Sequence, residues 1–362
     1  MNNTEVVIIG GGLSGLYAAG ELQRHNKNYL LFDTKPTLGG RIAGIPSSDN
    51  TEQYYDLGPS WVFPHHLRMQ ELVSKLKLSL YEQFEHGDVL FQFENIKQPR
   101  RIDSHPTQNV FRIKGGTFNL VKHMLKELNP KNLYVKHKVT KIEQVNNFYR
   151  VHIFDGTQTR AINCLKILFA IPPRIIARDF EGSAWLSPSL QQSLFSSQTW
   201  MAAQAKILVT FDKPFWREQT LSGQAFSQQG PMVEVHDASL SDNEGALFGF
   251  IGMPAAQRIY EPTKELKQAC IRQLGVLFGQ QAYKFNKCYL KDWAKDKDIC
   301  TGQDQSEGSR HPIIKTSLFS KECALQNMFF AGSEFAEEEA GYLEGALIAV
   351  EKAVQLLTNN EK

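Results

Sequence analysis

The stretch VVIIGGGLSGLYAAG, Val6 to Gly20, decides the fold. A run of four β-branched residues reads as a buried strand. It enters a glycine-rich turn, and apolar residues at helical spacing follow. Gly10 permits the tight bend, Gly12 lets a pyrophosphate approach the backbone, and Gly15 lets the new helix pack closely on the strand. The helix N-terminus then offers free N–H groups and partial positive charge to phosphates. A second apolar strand, Tyr29 to Phe32, ends at Asp33, near the spacing at which a carboxylate bonds the adenosine ribose hydroxyls. An acid there repels a 2′-phosphate. The motif implies a bound dinucleotide and redox chemistry, and by itself does not separate NAD from FAD.

Working outward, 362 residues are enough for a large core and two domains. Forty lysines and arginines stand against 38 acids, so no overall field favours nucleic acid or an anionic membrane, and a small molecule is the expected partner. No apolar run reaches the roughly 18 residues that a membrane span needs. The first strand begins by Glu5 and leaves no room for a signal peptide, so the protein is expected to be soluble and cytoplasmic. Its five cysteines form no CxxC pair, which points to reduced thiols without a disulfide framework or zinc site. His65 and His66 are paired, but no carboxylate or cysteine neighbours them at a usual ligand spacing. A loop role is expected for them and no metal site.

After Asp33, the loop KPTLGGRIAG carries Arg41, whose guanidinium suits a pyrophosphate better than a lysine would. The loop YYDLGPSWVFP contains Asp56, Gly58 and Trp61, and LRMQELVSKLKL reads as a helix that opens a second domain. Strands are expected in VLFQF, in NLYVKHKVTKIEQ, in FYRVHIFD and in INCLKILFAIPP, the last nearly continuous and ending at Ile171 before two prolines. Gly115 and Gly116 lead into an amphipathic helix. Ser187 to Thr199 reads as a helix or a connection, MAAQAKILVTFDKPFW as a strand, and EPTKELKQACIRQLGVLFG as a helix. Cys300 to Pro312 is expected to be loop. NMFFAGSE then forms a strand, and GYLEGALIAVEKAVQLL a long helix opened by a second glycine. A strand and helix of this kind so far from the first strand imply a cofactor domain assembled from both chain ends. Lys206 has two readings on spacing alone: a catalytic lysine, or one snorkelling to solvent from a half-buried edge strand.

The set VVIIGGGLSGLYAA, LGGRI, DLGPSW, IKGGTFNL, ILFAIPP, AKILVTFDKPFW and FFAGSEFAEEEAGYLEGAL resembles the flavin-containing amine oxidase family over most of the chain and in the family's order. The resemblance implies an α/β fold of two domains: a discontinuous Rossmann-like domain binding FAD, and a smaller α+β substrate domain with a mixed sheet. Residues 1–64, 110–190 and 292–362 fall to the first, and 65–109 and 191–291 to the second. It further implies that Gly10, Gly12, Gly15, Asp33, Gly40, Arg41 and Gly58 hold the cofactor, with Asp33 where the family more often has Glu. Val139 would hold the adenine, and Glu334, Gly341 and Leu343 would lie along the ribityl chain and flavin. Lys206, Tyr342 and Trp293 would form the catalytic set, with Lys206 holding a water near flavin N5.

Two departures stand out. The family flanks its substrate amine with two aromatic rings. Tyr342 supplies one, but the loop after Trp293, AKDKDICTGQDQ, has no aromatic, which leaves Trp61, Phe63 or Trp200 to fill that wall. Cys300 falls near where some members attach the flavin, at a shorter spacing, so the expected FAD is non-covalent. The implied activity is oxidation of a small amine or amino acid to an imine, with dioxygen reduced to hydrogen peroxide. The open alternatives are a flavoenzyme acting on a dihydronicotinamide, porphyrinogen or secondary metabolite, and an accessory flavin-binding protein without turnover.

Overall fold

The computed structural model describes residues 3–48, 50–103, 110–308, 310–312, 323 and 326–359. Two seven-stranded sheets organise these residues. In the first, the strand Thr4–Ile9 lies between Tyr29–Phe32 and Thr159–Phe169, parallel to both. Leu133–Tyr134 continues this sheet beyond Tyr29–Phe32, and Met328–Phe330 pairs parallel with the end of Thr159–Phe169. The antiparallel hairpin Lys138–Val145 and Phe148–Phe154 extends the other side. Val6, Val7 and Ile8 are fully buried, as a parallel central strand covered on both faces requires.

The helices Leu13–Arg24 and Leu343–Asn359 pack together against this sheet, so both chain ends build one layer. Leu67–Lys75 joins the same apolar cluster through Met69, Leu72 and Val73 and packs on the last helix rather than on the second sheet. A carboxylate from the last helix caps it: Glu344 accepts the N–H groups of Arg68 and Met69 at 3.0 and 2.9 Å.

The second sheet runs Lys287–Asp292, Ala205–Phe211, Gly245–Ile251, Met232–Asp237, Leu221–Ser227, Asp88–Gln92 and Arg100–Ile102. It is mixed, because Leu221–Ser227 and Asp88–Gln92 are parallel while the other pairs are antiparallel. One face, with Ile207, Val209, Leu247 and Val235, is covered by the helix Thr263–Phe278. The opposite face carries Lys206, Leu208, Phe248 and Phe250 and turns toward the first sheet.

Three local expectations are corrected. Thr159–Phe169 stops two residues before Ile171, and Pro173 sits in the first turn of the helix Pro173–Asp179. Within Cys300 to Pro312, residues 302–307 are helical: the Thr301 hydroxyl caps Asp304 N–H and the Asp304 carboxylate accepts Thr301 N–H, a reciprocal capping box. The strand holding Lys206 is not an edge. It lies between two others, and all seven of its residues are buried. No described helix is long and apolar enough to cross a membrane.

Candidate active site

A cavity of about 510 Å³ runs between the two sheets. One end is the glycine turn. Gly10 has φ +103, and a Cβ there would stand 2.6 Å from Ile171 Cγ2. A Cβ on Gly15 would meet the Gly10 carbonyl oxygen at 1.9 Å, so close strand–helix packing excludes a side chain. Gly12 lies across from Gly40, where a Cβ would come within 2.9 Å of the Gly12 Cα. Asp33 is buried beside this turn and accepts N–H bonds from Gly11 at 2.6 Å and Lys35 at 2.7 Å. Burial pushes its carboxyl above the ordinary value, with those two bonds opposing the shift. Each oxygen retains accepting capacity toward the cavity. Val139 lines the wall nearby, where an irregularity in the edge hairpin interrupts the ladder between Val139 and Lys141.

The middle of the cavity is organised by Arg41. Its guanidinium is bidentate to Glu334, at 2.5 and 3.0 Å, and donates to Ser333 Oγ and the Trp200 carbonyl. Glu334 is fully buried and does not itself reach the cavity wall; it holds Arg41 in place. Gly15 also lies behind the wall, while Gly10, Gly12, Asp33, Gly40 and Arg41 face the cavity. Gly341 packs where a Cβ would meet Trp200 Cβ at 2.4 Å, and Leu343 follows it at the N-terminus of the last helix.

At the far end, Lys206 is 2 % exposed and donates to Ser60 Oγ at 2.6 Å and the Gly58 carbonyl at 3.1 Å. Its ammonium stands 3.9 Å from the centre of the Phe248 ring. Burial brings the lysine pKa down to about 7; Asp56 opposes the shift and Arg112 adds to it. Asp56 and Arg112 form a buried pair at 3.2 Å, and Asp56 also accepts from Thr117 N and Oγ1, so one carboxylate anchors the loop before Gly58 to a helix start. Trp293 lines the same end, but its indole N–H is spent on the Leu57 carbonyl at 3.2 Å, and Lys291 and Lys35 cover its ring.

Tyr342 lines the same cavity. Its ring centre is 6.0 Å from Trp200 and 5.9 Å from Phe63, and its hydroxyl is 3.4 Å from His311 Nε2. His311 stacks on Trp200 with centres 3.6 Å apart. Trp200 and Phe63 therefore flank Tyr342, while Trp61 packs against Phe248 and Phe250 on the second sheet. The paired histidines do acquire a carboxylate, contrary to expectation: Glu339 lies 3.3 Å from His65 Nε2 and 3.1 Å from His66 Nε2. The chain reversal before the last helix brings it there from far along the sequence. Phe63 N–H donates to His66 Nδ1, so Nε2 carries the proton aimed at Glu339, and burial lowers the His66 pKa against the pull of that carboxylate.

A family profile described as flavin containing amine oxidoreductase matches residues 99–358, and a Rossmann-like NAD(P)-binding profile matches residues 8–76. The chain belongs to the flavin containing amine oxidoreductase family. It is similar to a probable flavin-containing monoamine oxidase A of Dictyostelium discoideum, 22% identical over 95% of each chain. It is also similar to an L-amino acid dehydrogenase of Synechocystis, 22% identical over 98% of this chain and 95% of the relative. Among solved structures, putrescine oxidase bound to putrescine superposes with a TM-score of 0.81 at 16% identity, covering 98% of this chain and 99% of that one. Cyclohexylamine oxidase of Brevibacterium oxydans gives 0.81 at 17%, covering 99% and 100%. This member of the flavin amine oxidoreductases is thus an FAD-dependent enzyme with the expected Rossmann-like and mixed-sheet architecture. The residues fit the cofactor: a Cβ would fill the glycine turn, Asp33 lies beside that turn with both oxygens accepting backbone N–H bonds, and one cavity runs from there to Lys206 and Tyr342.

Sequence reading placed most cofactor-side positions on the cavity wall. It missed Glu234, Phe250, Ser60 and Glu339. Glu234 lies on a strand with only a short alternating run and Phe250 on one that is apolar on both faces, and the partners of Ser60 and Glu339 come from distant segments.

Proposed function

We propose that the protein oxidises a small amine at the carbon beside nitrogen, giving an imine that water hydrolyses to a carbonyl compound and ammonia, with dioxygen reduced to hydrogen peroxide. The carrying observation is a buried lysine and a tyrosine-centred aromatic group facing one cavity that is continuous with a dinucleotide cradle. FAD, when bound, supplies a two-electron acceptor for the hydride and passes the electrons to dioxygen.

The cofactor-binding roles go to Gly10, Gly12, Gly15, Asp33, Gly40, Arg41, Gly58, Val139, Glu334, Gly341 and Leu343, with Glu334 acting by orienting Arg41. Cys300 is buried against Ala202, Ala203 and Trp293 outside the cavity wall, and burial pushes its thiol pKa up to about 12; both support non-covalent FAD. Tyr342, with Trp200 and Phe63 flanking it, walls the amine and excludes water. Lys206 holds a water at the inner end and supplies positive charge where reduced oxygen develops negative charge. Trp293 supports the wall through its bond to Leu57. The two-domain division proposed follows that expected above, except that the helix Leu67–Lys75 goes with the cofactor side, on whose core it packs.

Anaerobic titration with amines, amino acids and reduced nicotinamides tests this reading. An amine should bleach the visible flavin absorbance, and air should restore it with peroxide formed in equal amount. Bleaching by a nicotinamide alone, or by nothing, would overturn it.

A further inference from the structure

The chain reversal that carries Tyr342 also carries an acid that the proposed chemistry does not use. Glu339 sits there at φ +54, a left-handed backbone conformation uncommon for a residue with a side chain, and its carbonyl accepts the Tyr342 N–H at 3.0 Å. Its carboxylate meets the loop that enters the helix Leu67–Lys75. One oxygen stands 3.3 Å from His65 Nε2 and the other 3.1 Å from His66 Nε2. Among the described residues, no lysine or arginine lies within ion-pair distance of Glu339, so imidazoles alone meet its charge.

The donor set has the chemistry and the spacing of a transition-metal site. Two imidazoles and one carboxylate suit zinc, copper or nickel dications rather than magnesium or calcium. Around a tetrahedral zinc with bonds near about 2.1 Å, neighbouring ligand atoms stand roughly 3.4 Å apart. Both nitrogen–oxygen distances are close to that, and all three ligand atoms lie within 4.8 Å of one another. The His65 side chain, 61 % exposed, is free to turn and close the set, while His66 is held in the core and a fourth position opens to water. Burial favours neutral His66, the form a metal takes. One contact opposes binding. Coordination through Nε2 shifts the His66 proton to Nδ1 and gives up the bond from Phe63 N–H, which is long at 3.4 Å.

We infer that His65, His66 and Glu339 form a binding site for a transition-metal dication of the zinc class, separate from the cavity that holds the reaction. Phe63 lines that cavity, and its ring lies 5.0 Å from His66 and 5.9 Å from Tyr342. An occupied site therefore ties together the two segments that carry the aromatic wall. The site stands independently of the amine-oxidising reading.

Calorimetric titration of tag-free, EDTA-washed holoenzyme with Zn²⁺ tests the assignment. One equivalent should bind with a dissociation constant on the order of 10 μM, and Mg²⁺ should give no heat of binding. His65→Ala and Glu339→Gln should each weaken Zn²⁺ binding at least about tenfold. Because His65 is exposed, His65→Ala should keep its flavin and its melting temperature, which separates lost ligation from misfolding. The electron paramagnetic resonance spectrum of Cu²⁺-loaded protein should show hyperfine coupling to two imidazole nitrogens, falling to one in His65→Ala. No binding below about 1 mM Zn²⁺, or one-equivalent binding that survives both substitutions unchanged, would overturn the site.

Discussion

Lys206 shows how far a single residue depends on its surroundings. Its neighbours in sequence are consistent with both a snorkelling lysine and a catalytic one, and burial on a strand between two others removes the first reading. With its pKa near 7 against an ordinary 10.5, the unfolded chain binds the extra proton between those values. Stability therefore rises with pH across that window, by up to about 1.4 kcal/mol per unit, and Lys206→Met should flatten this slope in denaturation series. The kinetic expectation has the opposite sign. In the proposed mechanism the charged form assists oxygen reduction, so reoxidation should slow as pH rises through about 7. Lys206→Met should slow it by about 100-fold and remove this pH dependence, with a smaller effect on reduction by amine, as stopped-flow mixing with oxygen would read. A variant that reoxidises at the wild-type rate would remove Lys206 from the mechanism.

At the scale of elements, the glycine turn and the last helix were legible because their signals are local: a β-branched run, three glycines and an apolar stripe of helical period. Gly15→Ala should cost the holoenzyme its flavin, measured as visible absorbance per protein after gel filtration, because the added methyl would sit 1.9 Å from the Gly10 carbonyl oxygen. The cap on Leu67–Lys75 could not be read, since its acceptor is Glu344, some 275 positions away. Glu344→Ala leaves two N–H groups at that helix start without this acceptor and should cost about 1–2 kcal/mol, seen as a lower melting temperature. The strands Leu221–Ser227, Met232–Asp237 and Gly245–Ile251 were not legible in this way. Gly245–Ile251 is apolar on both faces, Leu221–Ser227 is interrupted by Ser222 and Gly223, and Met232–Asp237 alternates over only Val233 to His236, too short a run to mark a strand by itself.

Across the whole molecule, the cavity joins two sheets and both ends of the chain, so cofactor occupancy should report on global stability. Saturation at 1,000 times the dissociation constant contributes about 4 kcal/mol. Deflavinated protein should melt lower than the holoenzyme, and added FAD should restore the melting temperature in a concentration-dependent way; melting that ignores FAD would place the cofactor outside the folded core. The glycine spacing, Asp33 after the second strand and the recurrent motifs determined the dinucleotide fold and the flavin family by themselves, because each depends on backbone geometry within a few residues. Only the tertiary structure decided that Arg41 is held by Glu334, that Glu339 reaches the paired histidines, and that Lys206 and Glu234 share one row of the second sheet. Those relations come from strand register and chain crossings between distant segments, and spacing along the sequence carries no record of them.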